Sequence, residues 1–146
     1  PLVRLMGDWV APVPAVPTPA ATITSPAKRT VARKKLKRFS GTAGPAGSVA
    51  KVEIALRKVD KRALKRKRCR WLKNSRSQFK TTRSRGKKCT PPRFLKASGK
   101  DSWKYRLKRS LAKGSYELYV RVTLADGTRH TTFTAAQGNF KKFRAT

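Results

Sequence analysis

Acidic side chains are almost missing from this chain: 38 Lys and Arg face only Asp8, Glu53, Asp60, Asp101, Glu117 and Asp126, a formal charge of +32 over 146 residues. That scarcity weighs against a glycosidase-like carboxylate pair, because the six acids are scattered and Asp126 already sits in a turn signal with Gly127. Histidine is scarcer still. His130 is the only one, and no GxSxG elbow accompanies it, which argues against a Ser-His-Asp site. A zinc site is equally poorly supplied, with one histidine and no CxxC pair. Phosphate loops of the Walker type and dinucleotide fingerprints are lacking. Ser84-Arg-Gly-Lys87 matches SxxK formally, a spacing that chance produces in a Lys- and Arg-rich segment. The expectation is therefore a protein that is not an enzyme and takes no cofactor and no metal. No run of 18 apolar residues occurs, so no membrane-spanning helix is expected. Arg4 and Asp8 interrupt what would be the apolar stretch of a signal peptide.

What the chain does have is alternation. In Gly114 to Gly127, Tyr116, Leu118, Val120, Val122 and Leu124 share one side of a period-two repeat, while Glu117, Tyr119, Arg121 and Thr123 share the other and can face water. Asp126-Gly127 closes the run with a hairpin signal, from which His130 to Thr134 is expected to pair back. Val49 to Arg57 alternates in the same way, with Val52, Ile54 and Leu56 inward. Ser102 to Lys108 puts Trp103, Tyr105 and Leu107 on one face. Thr22 to Ser25, Phe39 to Ala43 and Arg68 to Leu72 read as shorter strands. Cys69 and Trp71 have the parity to face the core. Lys28 to Arg38 reads as a basic connector, and Ser75 to Lys88 as polar and turn-rich with Phe79 as its anchor.

Seven or so strands separated by turn signals, without a convincing helix, indicate an all-β fold, an antiparallel β-sandwich. The expected layout is an extended Pro-rich segment over 1–21, the sandwich over 22–135 and a basic tail over 136–146. Val52, Ile54, Leu56, Trp71, Trp103, Tyr105, Leu107, Tyr116, Leu118, Val120 and Val122 are expected to be buried together between two sheets. The Pro-rich segment reads either as a linker or as an assembly arm. Leu2, Leu5, Met6 and Trp9 favour the arm, because a solvated linker has no need of them.

Two features carry chemistry. Cys69 and Cys89, 20 residues apart, read as a disulfide closing the most basic loop, the alternative being two independent buried thiols; a closure of this size is worth about 3 kcal/mol. The basic clusters place Arg33, Lys34, Lys35, Lys65, Arg66, Lys67, Arg68, Lys87 and Lys88 as candidate polyanion contacts, with Trp71, Phe79, Phe94 and Tyr119 as possible stacking surfaces. The plainer reading of such runs is a solvated surface that keeps the domain soluble. A net charge this lopsided exceeds that need and attracts any polyanion: an acidic glycan, a cell-wall polymer, nucleic acid or an acidic protein.

Phe39-Ser-Gly-Thr-Ala43, Ser48-Val-Ala-Lys-Val-Glu-Ile-Ala-Leu56, Cys69-Arg-Trp-Leu72 with Cys89, Trp103 to Leu107 and Gly114 to Val122 together resemble the bacterial Ig-like domains of secreted and cell-surface proteins, particularly those of actinobacteria. The resemblance covers roughly 22–135 and implies an Ig-like sandwich used for adhesion, spacing or assembly, with no catalytic residues to carry over. It also implies an extracellular or cell-surface location. This chain departs from the pattern in its basicity and in the Asp126-Gly-Thr-Arg129 turn. The expected function is a non-enzymatic structural or interaction module of an extracellular or surface assembly, a filament or a surface layer, binding neighbouring subunits and polyanions. The alternative is a nonspecific nucleic-acid-associated basic protein, and the state of the two cysteines separates the two.

Overall fold

The computed structural model describes residues 17–84, 89 and 94–146. Leu2, Leu5, Met6, Trp9, Lys87 and Lys88 therefore lie outside the described residues. Strands β1 (Ala20–Ser25), β3 (Arg38–Gly44), β8 (Ser98–Gly99) and β9 (Ser102–Arg106) form one sheet in the order β1-β3-β9-β8, here sheet A. Sheet B runs β2 (Thr30–Val31), β11 (Phe140–Ala145), β10 (Gly114–Leu124), β4 (Val49–Val59), β5 (Arg68–Leu72) and β6 (Phe79–Arg83), with β7 (Leu95–Lys96) also paired to β4. A single helical turn, α1 (Lys61–Lys65), joins β4 to β5. All the pairings are antiparallel except β2 with β11, and the fold is an all-β sandwich.

The two longest strands, β4 and β10, pair along almost their whole length and form the centre of sheet B. Val52, Ile54, Leu56, Tyr116, Leu118, Val120 and Val122 are essentially fully buried against Phe39 and Trp103 of sheet A. Near the end of this ladder Thr123 pairs with Lys51 but Leu124 with Val49, so one residue of β4 is bulged out. The bulge lets Val49 and Val52 both enter the core although their spacing is odd. Gly41 allows sheet A to close: a Cβ there would lie 1.8 Å from the Thr22 carbonyl oxygen and 2.8 Å from the Trp103 ring.

Four sequence expectations are corrected. Residues 136–146 are not a tail: β11 is an interior strand of sheet B, with Phe143 and Ala145 buried and Lys142 and Arg144 exposed. The Phe143 ring packs 5.5 Å from that of Tyr116 and 6.1 Å from that of Phe39, so the sandwich includes its last strand. Second, His130 to Thr134 does not form a strand, because β11 already occupies that edge of β10 over Gly114 to Tyr119. Pairing back stops after a bridge from Thr123 to Arg129 and a bond from the His130 N–H to the Val122 carbonyl. The chain beyond is held by Asn139, fully buried, whose side chain accepts from the Thr134 N–H and donates to the Thr132 carbonyl.

Third, Trp71 is buried but not between the sheets. On β5 it is Leu72 that faces the main core, and Trp71 and Cys69 lie on the outer face of sheet B with Ala55. Fourth, the segment after Ser75 contains a strand, β6, whose Phe79 packs against the core at 6.0 Å from Tyr116.

The ends of the sandwich differ. Ala20 pairs with Gly44, so β1 starts at the end formed by the Gly44–Ser48 turn, where the Ala125 N–H meets the Ser48 carbonyl. At the other end Gly114 pairs with Ala145, Ser115 with Val59, and the Arg33 N–H bonds to the Thr146 carbonyl.

Candidate polyanion-binding surface

Strand pairing gathers the basic runs at one end. The turn carrying Arg33, Lys34 and Lys35 leaves β2 beside the end of β11, stapled by buried Leu36 and by bonds from the Lys35 and Leu36 N–H groups to the Ala32 carbonyl. Val59, at the same end of β4, leads into α1, whose N-cap is Asp60. Its carboxylate accepts from the Ala63 and Arg62 N–H groups, and the Ala63 bond first of all holds its pKa below the usual range. The helix ends at Arg66 and reverses through Lys67, at φ 57°, a left-handed position where glycine is the usual choice. The Lys67 carbonyl then accepts from the Ser84 N–H, and Arg68 pairs with Arg83 across β5 and β6. Lys34, Lys35, Lys65, Arg66, Lys67 and Arg68 are all exposed, and Arg33 is half-buried.

Sequence reasoning left out further cations at this end. Lys113 precedes the first β10 pairing, and Arg144 pairs with Thr30. The missing signal is long-range: these residues lie in different sequence runs, and only the register brings them together.

The acids are spent elsewhere. Glu117 pairs with Arg57, and Glu53 with Arg121 at 3.0 Å and with Lys51 at 3.8 Å, all on the outer face of sheet B. Asp101 and Asp126 lie at the far end, where they accept from the Gly47 and Thr128 N–H groups beside Lys100 and Arg129. Among the described residues that end is close to charge balance, while the near end keeps only the helix-capping Asp60 against its cations. Their separation follows from the 11-residue central strands, a length of roughly 35 Å.

The outer face of sheet B is a second small core. Cys69 and Cys89 are bonded, their Cα atoms 5.8 Å apart, over Ala55 and Trp71. Trp71 packs on Tyr119 at 5.5 Å, and Tyr119 meets Phe133 and Phe140 edge-on at 5.7 and 5.0 Å. Phe94 stacks on Phe133 at 5.6 Å and carries the Arg121 guanidinium 4.1 Å from its ring centroid. Burial first, with the Glu117 charge adding to it, pushes the Tyr119 phenol up to about 12. The rings expected to stack on nucleotide bases are thus largely used inside the protein, since Trp71 is 2% exposed and Phe79 packs on the main core. Tyr119, expected to face water, is half-buried for the same reason.

His130 is buried, and its Nδ1 accepts from the Val122 N–H at 3.0 Å. Burial lowers its pKa, with the Pro19 backbone opposing the shift, so the neutral imidazole is favoured as a clip on β10. Among the described residues no cluster of three or more His, Cys, Asp or Glu forms a metal site, and no helix is long and apolar enough to cross a membrane. No protein-family model, curated protein or solved structure matches the chain.

Proposed function

We propose that the protein is a non-enzymatic interaction module of an extracellular or cell-surface assembly, an Ig-like sandwich that binds polyanions through its basic end and neighbouring subunits through its N-terminal arm. The observation that carries this reading is the sorting of charge. Arg33, Lys34, Lys35 and Lys65 to Arg68 converge at one end of a rigid sandwich, whereas the acids cap turns or pair elsewhere. A bonded cysteine pair supports an oxidising compartment. The same cations would serve a nucleic-acid-associated protein, but the internal use of Trp71, Phe79 and Tyr119 leaves that reading few stacking surfaces.

The test has two parts. Binding to heparin should fall steeply between about 0.05 and 0.2 M salt, as counterion release requires. Removing residues 1–16, which spares the Pro19 contact and β1, should abolish assembly measured by light scattering while leaving thermal unfolding unchanged. Salt-independent binding would refute the electrostatic half, and unchanged particle size the arm.

A further inference from the structure

The outer faces of the two sheets are differently finished. On sheet B Arg57 and Arg121 are matched by Glu117 and Glu53, Phe94 packs on Arg121, and the disulfide lies over Ala55 and Trp71. Among the described residues, no such ion pair lies on the outer face of sheet A. Because Phe39, Gly41 and Trp103 point inward, alternation turns Arg38, Ser40 and Thr42 of β3 and Ser102, Lys104 and Arg106 of β9 outward. The pairings place Arg38 opposite Arg106, Ser40 opposite Lys104, and Thr42 opposite Ser102, and Ser98 of β8 extends the middle row.

The result is a trough of about 420 Å³ whose described lining includes Arg38, Lys104 and the hydroxyls of Ser40, Thr42, Ser98 and Ser102, and no carboxylate among the described residues. Gly41 and Gly99 of β3 and β8 also belong to the described lining. We propose that this trough binds an anionic glycan, a polysaccharide carrying sulfate or carboxylate groups. Arg38 and Lys104 hold the anionic substituents through charge-assisted hydrogen bonds, and the row of hydroxyls exchanges hydrogen bonds with the sugar hydroxyls. Nucleic acid fits less well. Among the described residues lining the trough the only aromatic one is Trp103, whose ring is turned into the core, 1% exposed, with its indole N–H donated to the Thr42 carbonyl, so the described lining offers no stacking platform. This inference rests on the polyanion-binding reading and deepens it: the basic end attracts the polymer, and the trough supplies the specific contact.

The experiment compares the full chain with three variants, each checked for an unchanged unfolding temperature: R38S/K104S in the trough, S40A/T42A/S102A with the charge intact, and K34S/K35S at the basic end. Probes are heparin, polygalacturonate and a short DNA duplex, measured calorimetrically over a range of salt. R38S/K104S should reduce the slope of log affinity against log salt for heparin by about two. S40A/T42A/S102A should weaken at least one of the two glycans about tenfold and DNA less than about threefold, three ordinary hydrogen bonds being lost. Equal weakening of DNA and glycan by the hydroxyl variant, or no effect of it on either glycan, overturns the proposal. Loss of binding in K34S/K35S with both trough variants unaffected also overturns it while leaving the polyanion reading in place. If the unaltered chain binds none of the three probes at low salt, that reading itself fails and the trough proposal with it.

Discussion

Phe143 tests the fold at the point where the sequence is least explicit. Its ring is 3% exposed and lies between Phe39 of sheet A and Tyr116 of β10, so Phe143→Ala removes a side chain that spans both layers. Transfer of a buried Phe out of water accounts for about 1.5 to 3 kcal/mol, and the cavity left behind and the lost ring contacts bring the expected cost to about 3 to 5 kcal/mol. A domain of this size has a total stability of about 6 to 18 kcal/mol, so the variant should fold but melt about 10 to 20 °C lower. Denaturant titration should show a lowered midpoint with an unchanged slope, meaning lost stability and not an altered surface. Lys142→Ala, on the exposed side of the same strand, is the control and should change stability by less than about 0.5 kcal/mol. A cost below about 1 kcal/mol for Phe143→Ala would show that the last strand is not part of the core, and the layer assignment would fall.

Two further outcomes are expected. Reduction, or the Cys69→Ser/Cys89→Ser variant, should cost about 3 kcal/mol, and the intact mass should rise by two hydrogens on reduction; thiols that titrate freely in the folded protein would contradict this. The His130 pKa is lower in the folded state, so its contribution is present above the ordinary value of 6.5 and is lost as pH falls below it, because the unfolded chain takes up a proton that the folded one refuses. Stability of the native sequence should therefore decline between about pH 7 and pH 5 more steeply than that of His130→Gln, and parallel profiles would refute the buried clip. Asp60 and Asp126, whose pKa values are lowered by backbone N–H groups, act only at more acidic pH.

How legible the fold was depended on how much of each strand's environment its own residues record. β10 and β4 from Val52 onward alternate because one face meets the main core, and their inward residues were identifiable there; Val49 was not, because the bulge puts it in the core at odd spacing from Val52. β11 was not, because Phe140 and Phe143 are three apart and serve opposite faces: Phe140 meets Tyr119 outside, Phe143 meets Tyr116 inside. Parity at Cys69 and Trp71 correctly put them on one side of β5 but could not say which, since sheet B is covered on both faces there. β6 is an edge strand whose one sizeable apolar residue is Phe79, and a lone anchor carries no period. The basic clusters were visible as runs. Their convergence was not, because Arg33, Lys65 and Lys113 come together only through the pairing of β2, β4, β10 and β11. The trough was half visible, in the outward Lys104 and Arg106, but the match with Arg38 and Ser40 needed the β3–β9 register.

The start of β1 and the end of β11 lie at opposite ends of the sandwich, and this has a mechanical meaning. β1 begins beside the Gly44 turn in sheet A, and β11 ends beside Gly114 in sheet B, so a pull applied at Pro17 and Thr146 draws the two strands along their own axes in opposite directions. Such a load slides one sheet over the other instead of peeling strands away one hydrogen bond at a time. The ladder from Gly114 to Tyr119 resists all at once, together with the Phe39, Tyr116 and Phe143 packing between the layers. Loaded in this direction the sandwich is expected to yield at high force and abruptly.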